Sequence, residues 1–419
     1  MTSLETPEEM TAEEATTFQQ MMKPLQSALE KIENNRFVHH LETLAFIPFV
    51  TLMIYYFTKR VGSGRLLLTD TFSVPSVLGL PTVARSTFFD AFNRFPVHWF
   101  TKLMMVLLTT VAWVEIPELH SLGKLYLVDG SIFPALTNML WAEYQTNCNA
   151  LKLHLIVDLN RMIPVHFLIG SGNSNEKLAL KEMLEMGITY IADRGYVKWA
   201  LLADIVSAKA HFVVRMKANL KYSVFETLPV VLPDAVSHIF HSVTDQKVIL
   251  TGAKGKPVYR LVQFWIGNHK FLLMTDRLDL TTFQVILLYS YRWQVELIFR
   301  FLKRTLNGLH LVSTSKQGVT IQFYLLMITA LLQLHLKQSC VSACLNDEPK
   351  SQFTSDDPIE RDEMIAQRVV TDDGGQLFLA TVGDKLHRYW KISVHWMQHL
   401  HNLLAQPFNQ RAIELLGYT

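Results

Sequence analysis

The stretch LKLHLIVDLNRMIPVHFLIG, residues 151–170, decides the fold. Two runs rich in Leu, Ile and Val flank a short turn at Leu159-Asn160-Arg161, a pattern that predicts an antiparallel hairpin. Upstream, KLYLVDGS (124–131) reads as a strand ending in a polar turn. Downstream, the loop SGNSN (171–175) leads into a helix, EKLALKEMLEMG (176–187). A short strand ITYIAD (188–193), a turn RGY, a helix VKWALLADIVSA (197–208) and a strand HFVVRM (211–216) follow. The predicted order is β-β-β-α-β-α-β, with the last two strands reached through crossover helices and therefore parallel.

Three antiparallel strands followed by two parallel ones is the order of an RNase H-like core, so the expected class is α/β. Residues 121–310 are expected to form this core. Within them, 217–281 alternates strands with Gly/Pro turns and reads as a β-rich insertion. Residues 36–120 and 311–419 are expected to be helical regions flanking it. Residues 1–35 carry seven Glu against Lys23 and Lys31 and read as an acidic lead-in. A second acidic segment, Asn346 to Gly375, reads as a loop or insertion.

The chain has 419 residues, 49% hydrophobic and only 18% charged, which excludes a disordered, collagenous or coiled-coil protein. Its net charge is +2, so any surface for nucleic acid must be local. Three cysteines, Cys148, Cys340 and Cys344, are too few for a disulfide scaffold and fit a reducing compartment. The acidic N-terminus lacks the basic start and apolar run of a secretory signal. Two apolar runs bear on the membrane question. Thr43–Thr58 contains Pro48 and is shorter than the ~20 residues of a spanning helix. Gln317–Leu336 is long enough, but Gln322, Thr329 and Gln333 share one helical face. We expect an amphipathic helix docked on a core rather than a membrane span.

Three carboxylates stand out. Asp129 closes the first core strand and Asp193 the fourth, and the crossover makes those strands neighbours. Gly130 and Gly195 beside them would allow tight turns. Either Asp alone could equally start a turn. Asp158, at the hairpin turn, is given no chemistry. The third piece is the helix LLYSYRWQVELIFRFLKRTL, residues 287–306. Tyr289, Arg292, Glu296, Arg300 and Lys303 fall on one stripe roughly 80° wide, and the remaining surface is apolar. A buried carboxylate flanked by cations must face partners or a cleft. Two readings satisfy it: an internal salt-bridge network, or a metal site beside a phosphate chain. Carboxylates suit Mg²⁺ or Mn²⁺.

These motifs resemble the DDE transposases of bacterial insertion sequences, in the group marked by a Tyr-x2-Arg-x3-Glu-x6-Lys signature. Tyr289, Arg292, Glu296 and Lys303 match every spacing, and VDGS around Asp129 and DRGY around Asp193 match the preceding motifs. The resemblance covers roughly residues 36–400 in organisation and is sharp near 124–134, 188–200 and 285–304. It implies a metal-binding triad of Asp129, Asp193 and Glu296 holding two divalent ions, and cut-and-paste strand cleavage and joining by phosphoryl transfer. It implies phosphate-holding roles for Tyr289, Arg292 and Lys303, and a homodimer on paired double-stranded DNA ends. An aromatic in the insertion stacks on an extruded base in some relatives, and Trp265 is the candidate here. The helical N-terminal region would bind the terminal inverted repeats. The implied location is cytoplasmic, at the nucleoid. A decayed relative that binds DNA without cutting it is the alternative.

Other cations fit a DNA path. Arg215, Lys217 and Lys221 follow the fifth strand, and between 289 and 337 six basic residues, Arg300 among them, face Glu296 alone. The stretch PTVARSTFFDAFNRFP (81–96) reads as a turn and a short helix. It is either the second helix of a helix-turn-helix, with Arg85 and Arg94 at its ends, or a packing helix led by Phe88, Phe89, Phe92 and Phe95. His395 and His399 lack further zinc ligands, as do Cys340 and Cys344, and without a Walker motif no ATP requirement is expected.

Overall fold

The computed structural model describes residues 18–344 except 60, 74–77, 79, 114, 146–147, 238 and 252–254, together with 357, 360 and 362–363. Six strands build the core: β1 Lys124–Pro134, β2 Glu143–Gln145, β3 Cys148–Asp158, β4 Ile163–Ser171, β5 Ile188–Ala192 and β6 His211–Arg215. β3 runs antiparallel to β1 and β4, β5 is parallel to β1, and β6 is parallel to β5. Read across the sheet the order is β4-β3-β1-β5-β6, with the short β2 pairing the start of β3. This is the RNase H-like order that the strand pattern predicts.

The insertion supplies β7 Tyr222–Leu228, β8 His241–Leu250, β9 Val258–Ile266 and β10 His269–Thr275. It does not form a separate layer. β10 lies antiparallel to β6, with Thr275 opposite Val213, so the meander extends the core into one ten-stranded sheet. Without it, β6 would be an open edge with unpaired backbone groups.

The helices are α1 Gln26–Asn35, α2 Phe46–Thr58, α3 Gly64–Ser73, α4 Arg85–Arg94, α5 Val97–Thr110, α6 Glu176–Glu182, α7 Trp199–Ser207, α8 Asp234–Ser237, α9 Thr282–Ser290, α10 Gln294–Arg300 and α11 Lys316–Cys344. Period-two alternation sorts them onto the two faces of the sheet. Leu125, Leu127, Leu155, Ile191 and Val213 face a core shared with α2, α5, α9, α10 and α11. Tyr126, Val128, Ile156, Tyr190, Ala192 and Val214 face a second core shared with α6 and α7.

Both apolar runs are protein core. α2 is buried along most of its length. α11 carries the one window, among the described residues, long and apolar enough to cross a membrane, and 78% of that window is buried inside the protein. Its polar stripe is not a solvent face, which corrects the amphipathic reading. Gln322 is buried, donates to His310 O at 2.7 Å and accepts from Val312 N at 2.8 Å. The Thr329 hydroxyl bonds back to Leu325 O at 2.7 Å. The stripe satisfies backbone groups of the adjoining loop and of its own helix.

In α4, Phe88, Phe92 and the following Phe95 are buried, and Arg94 donates to Leu44 O at 2.5 Å. That helix packs through its phenyl face. Residues 1–17 of the acidic lead-in, most of the 346–375 segment, everything after 363 and the His395/His399 pair lie outside the described residues, as do the side chains of Cys340 and Cys344.

Candidate active site

Odd-numbered residues of β1 and β5 point to the face that carries α9 and α10. Asp129 and Asp193 are odd-numbered and follow Leu127 and Ile191 on that face. The last parallel pair between the two strands is Val128 with Ala192. Each Asp therefore stands one step past the point where the neighbouring strands part. Asp129 does not close its strand, as the sequence suggests. β1 continues to Pro134 while paired only with β3, and Asp129 sits opposite Leu155. It marks the place where β1 loses its parallel partner.

The third carboxylate arrives on the helical run that starts at Thr281, whose side chain accepts from Gln284 N while Gln284 bonds back to Thr281 N. This capping box fixes the entry of α9. The run is less regular than a single helix. A tight turn at Tyr291–Trp293 joins α9 to α10, and Phe301–Thr305 is wound as a π-helix. The Leu306 N–H reaches back to Phe301 O at 2.9 Å. Such wide turns re-aim side chains and recur at functional sites.

Tyr289, Arg292, Glu296 and Lys303 of the stripe still face the two Asp. The Tyr289 hydroxyl donates to Asp193 Oδ1 at 3.1 Å. Arg292 Nη2 donates to Glu296 Oε1 at 3.1 Å, while its buried Nε has no hydrogen-bond partner among the described residues. Lys303 Nζ donates to Ser131 Oγ and to Ile132 O, both at 2.7 Å, and lies 4.7 Å from the centre of the Phe133 ring. It is tied to β1 two residues beyond Asp129. Arg300 is exposed and within electrostatic reach of Glu296.

The carboxylates sense one another. Burial pushes Asp129 up to about 6, against the pull of the Gly130 N–H and Arg292, and Glu296 and Asp193 raise it further. Burial likewise raises Glu296, with Arg292 opposing and Asp193 assisting. Burial would lower the Arg292 guanidinium, but Tyr289, Asp193, Glu296 and Asp129 together hold it above its ordinary value. Three carboxylates this close, two of them with their charge disfavoured by burial and neighbours, form a donor set suited to a hard divalent cation. Among the described residues no group of three ligating side chains is already closed around an ion position. Each acid is held by another partner: Asp129 by Gly130 N at 2.7 Å, Asp193 by Tyr289 and Glu296 by Arg292.

Of the remaining sequence candidates, Arg215 reaches the site. It lies 4.7 Å from the centre of the Phe271 ring and within electrostatic reach of Tyr289. Lys217 lies in a separate cleft beyond the end of β6. Trp265 sits on β9 opposite Lys270, and among the described residues no hydrogen bond joins it to the three acids. Asp158 pairs with Arg161 at 2.7 Å and serves the hairpin turn.

The sequence reading misses a second polar cluster behind the site. Glu176, at the start of α6, pairs with Lys152 at 2.6 Å. A Cβ on Gly130 would lie 3.4 Å from Glu176 Oε1 and 3.2 Å from Lys152 Cε, and one on Gly195 would lie 3.2 Å from Glu176 Oε2. Neither glycine has a positive φ. Gly130 lies inside β1 rather than in a turn, while Gly195 is the middle of the tight turn Arg194–Tyr196. They leave room for one carboxylate to lie against both Asp-bearing segments. His154, opposite Gly130 in the sheet, and the buried hydroxyl of Tyr196 line the same space. The spacing of Glu176 from either Asp carries no periodic signal, so only the fold reveals it.

The family described as "Transposase DDE domain" matches residues 120–332. The chain is 27% identical to a protein of Sinorhizobium fredii named as transposase y4zB, over 51% of this chain and 61% of that protein. It is 24% identical to a protein of Geobacillus stearothermophilus named as the transposase for insertion sequence element IS5377, over 62% of this chain and 69% of the relative. A protein of Synechocystis, named as the transposase for insertion sequence element IS4SA, is 24% identical over 50% of this chain and 59% of its own. The chain thus spans about three-fifths to two-thirds of these relatives. A solved piggyBac transposase synaptic complex with hairpin DNA superposes with a TM-score of 0.40 at 9% identity, covering 90% of this chain and 81% of that one.

Proposed function

Because the chain belongs to the DDE-domain transposase family, we propose that it cuts and rejoins the ends of an insertion sequence by a cut-and-paste route, with Asp129, Asp193 and Glu296 as its catalytic acids. One observation carries the reading: three carboxylates from β1, the end of β5 and α10 converge on one face, where burial and the neighbouring acids raise Asp129 and Glu296. We place it in the group with the Tyr-Arg-Glu-Lys signature, because Tyr289, Arg292 and Lys303 all touch the acids or the strand that carries them.

Magnesium or manganese, as two ions held by the three acids, would supply an activated hydroxyl nucleophile and charge compensation for the leaving 3′ oxygen. The protein's own groups do the positioning. Tyr289 holds Asp193 from a fully buried ring. Arg292 is the buried cation of the site, and its uncommitted Nε offers a donor to a phosphate oxygen. Lys303 and Arg300 continue the positive strip along the helix, and Arg215 flanks it from β6. The partner is double-stranded DNA: the terminal repeats first, and target DNA at joining. Two protomers on paired ends, and a cytoplasmic, nucleoid-associated location, complete the proposal.

The test is end nicking in Mg²⁺ on linear DNA bearing the inverted repeats that bracket the gene. Asp129→Ala, Asp193→Ala and Glu296→Ala, each made alone, should abolish nicking and leave end binding. Normal nicking by any one of them would remove that residue from the triad. End binding by the unaltered protein without nicking in Mg²⁺ or Mn²⁺ would mark a relative that has lost catalysis.

A further inference from the structure

A cleft of about 680 Å³ opens on the opposite face of the sheet from Glu296, against α6 and α7. Its lining comes from three places: Lys177 on α6, Arg194 to Trp199 between β5 and α7, and Met216 to Lys221 after β6. Five cations line it, Lys177, Arg194, Lys198, Lys217 and Lys221, and no acid does. Among the described residues none of the five makes an ion pair, in a chain whose net charge is only +2. Four of them are exposed and the fifth, Lys177, is partly so. A like-charge cluster without counter-ions makes a local positive potential that draws an anion to the cleft. α7 begins in the same wall, and its N-cap residue, Lys198, makes no side-chain cap, so the first amides of that helix remain free for an acceptor.

The cleft is not only charged. Trp199, half-buried against the second core, presents its ring there together with Met216 and Leu220. The volume falls within the range of about 300–1,000 Å³ typical of small-ligand pockets. It suits one or two nucleotides. An aromatic ring among cations is the composition of sites for unpaired strands, where the base stacks and the phosphates meet Lys and Arg. The cleft also lies at the carboxyl ends of β5 and β6, where open α/β sheets bind ligands. Arg194 follows Asp193 directly, so a strand in the cleft would run to the edge that bears the acids.

We propose that this cleft binds an unpaired segment of a DNA strand beside the cutting site, with a base against Trp199 and its phosphates on Lys177, Arg194, Lys198, Lys217 and Lys221. The proposal rests on the transposase reading for the identity of the polymer, but its test needs no catalysis.

The full chain in EDTA is titrated with a fluorescein-labelled short oligothymidylate and, separately, with a random-sequence duplex. The oligothymidylate should bind. Lys217→Ala/Lys221→Ala, both exposed loop positions, should reduce the slope of log affinity against log salt by about 1.4, or 0.7 per cation for a single strand. Trp199→Ala should weaken binding about tenfold or more. In case that variant misfolds, an oligonucleotide carrying iododeoxyuridine is photo-crosslinked to the unaltered protein, and the adduct should map to Trp199. The proposal fails if the salt slope is unchanged in the double lysine variant, if the crosslink maps elsewhere, or if the duplex alone binds. A protein that passes this test and never nicks its ends would lose the catalytic reading and keep the cleft. One that nicks and fails here would do the reverse.

Discussion

The hydroxyl of Tyr289 and Oδ1 of Asp193 are 3.1 Å apart, although 96 residues separate them in the chain. The bond joins α9 to the end of β5. Burial, and then the charge of Asp193, raise the Tyr289 hydroxyl well above its ordinary value, so it stays a donor across the working range of pH. The ring is fully buried. One side chain therefore packs the core and holds Asp193 by a hydrogen bond.

Those two roles separate by substitution. Tyr289→Phe keeps the ring and should change stability by about 1 kcal/mol, the net worth of one hydrogen bond. Tyr289→Ala opens a cavity and should cost about 3–5 kcal/mol. If the hydroxyl orients Asp193, end nicking by Tyr289→Phe should fall about tenfold, the scale of a lost hydrogen bond to a charged group. Urea melts and single-turnover nicking read the two effects separately. Unchanged nicking by Tyr289→Phe would reduce Tyr289 to a packing residue.

The acid cluster makes a second prediction, in which metal is added and removed. Millimolar Mg²⁺ or Mn²⁺ should raise the melting temperature, and EDTA should reverse the rise. At one hundred times the dissociation constant the gain is about 2.7 kcal/mol. Asp129→Asn/Glu296→Gln should abolish the rise. In EDTA the same variant should melt at or above the temperature of the unaltered protein, because burial and the neighbouring acids already disfavour the Asp129 charge. A metal-induced rise that survives in the double variant would place the ion elsewhere.

Much of this site is legible in the sequence, and the limits of that legibility are physical. Strand alternation and crossover order place Asp129 and Asp193 side by side, because period-two patterning survives in any half-buried strand. The stripe from Tyr289 to Lys303 is readable because charges on a mostly apolar helix are costly to bury and must share a direction. The π-turn at Phe301–Thr305 is not readable, since its hydrogen-bond shift leaves no compositional trace. The buried polar face of α11 is misread for a related reason. Gln322 looks like a solvent-facing residue until the loop at His310–Val312 is seen to need its amide. Glu176 and the purpose of Gly130 and Gly195 depend on contacts between segments distant in sequence.

A pH dependence should arise behind the site. His154 is 2% exposed, with Nε2 2.9 Å from Ser174 Oγ and a buried Nδ1 that has no hydrogen-bond partner among the described residues. Burial, and then Lys152, lower it to about 4, with Glu176 opposing. The folded value lies below the unfolded value of about 6.5, so the unfolded chain binds the proton first. Stability from this group is complete above pH 6.5, declines as pH falls from 6.5 towards 4, and levels off below 4. The full loss is at most about 3 kcal/mol, at 1.36 kcal/mol per unit. Urea melts of the unaltered protein and of His154→Gln between pH 7 and 4.5 should converge as pH falls. Parallel curves would mean that His154 does not titrate on unfolding.

The insertion is held to the start of α9 by a buried ion pair. Asp245 on β8 is fully buried, and Arg260 on β9 is 3% exposed. They meet through two parallel bonds, Nε to Oδ1 at 2.9 Å and Nη2 to Oδ2 at 2.6 Å. The Thr282 hydroxyl, in the first turn of α9, donates to Asp245 Oδ2 at 2.8 Å, and Arg260 Nη1 donates to Leu280 O at 2.5 Å. The pair thus clamps the chain that leads into the helices bearing Tyr289 and Glu296. Removing one partner leaves a buried unpaired charge, which costs about 3–5 kcal/mol. Arg260→Met and Asp245→Leu should each destabilise by that amount. The double variant should recover most of it, because a matched apolar pair leaves no charge behind. If the clamp also sets the register of α9, the double variant will melt near the unaltered protein but nick more slowly. Additive losses from the two substitutions would show that the charges do not depend on each other.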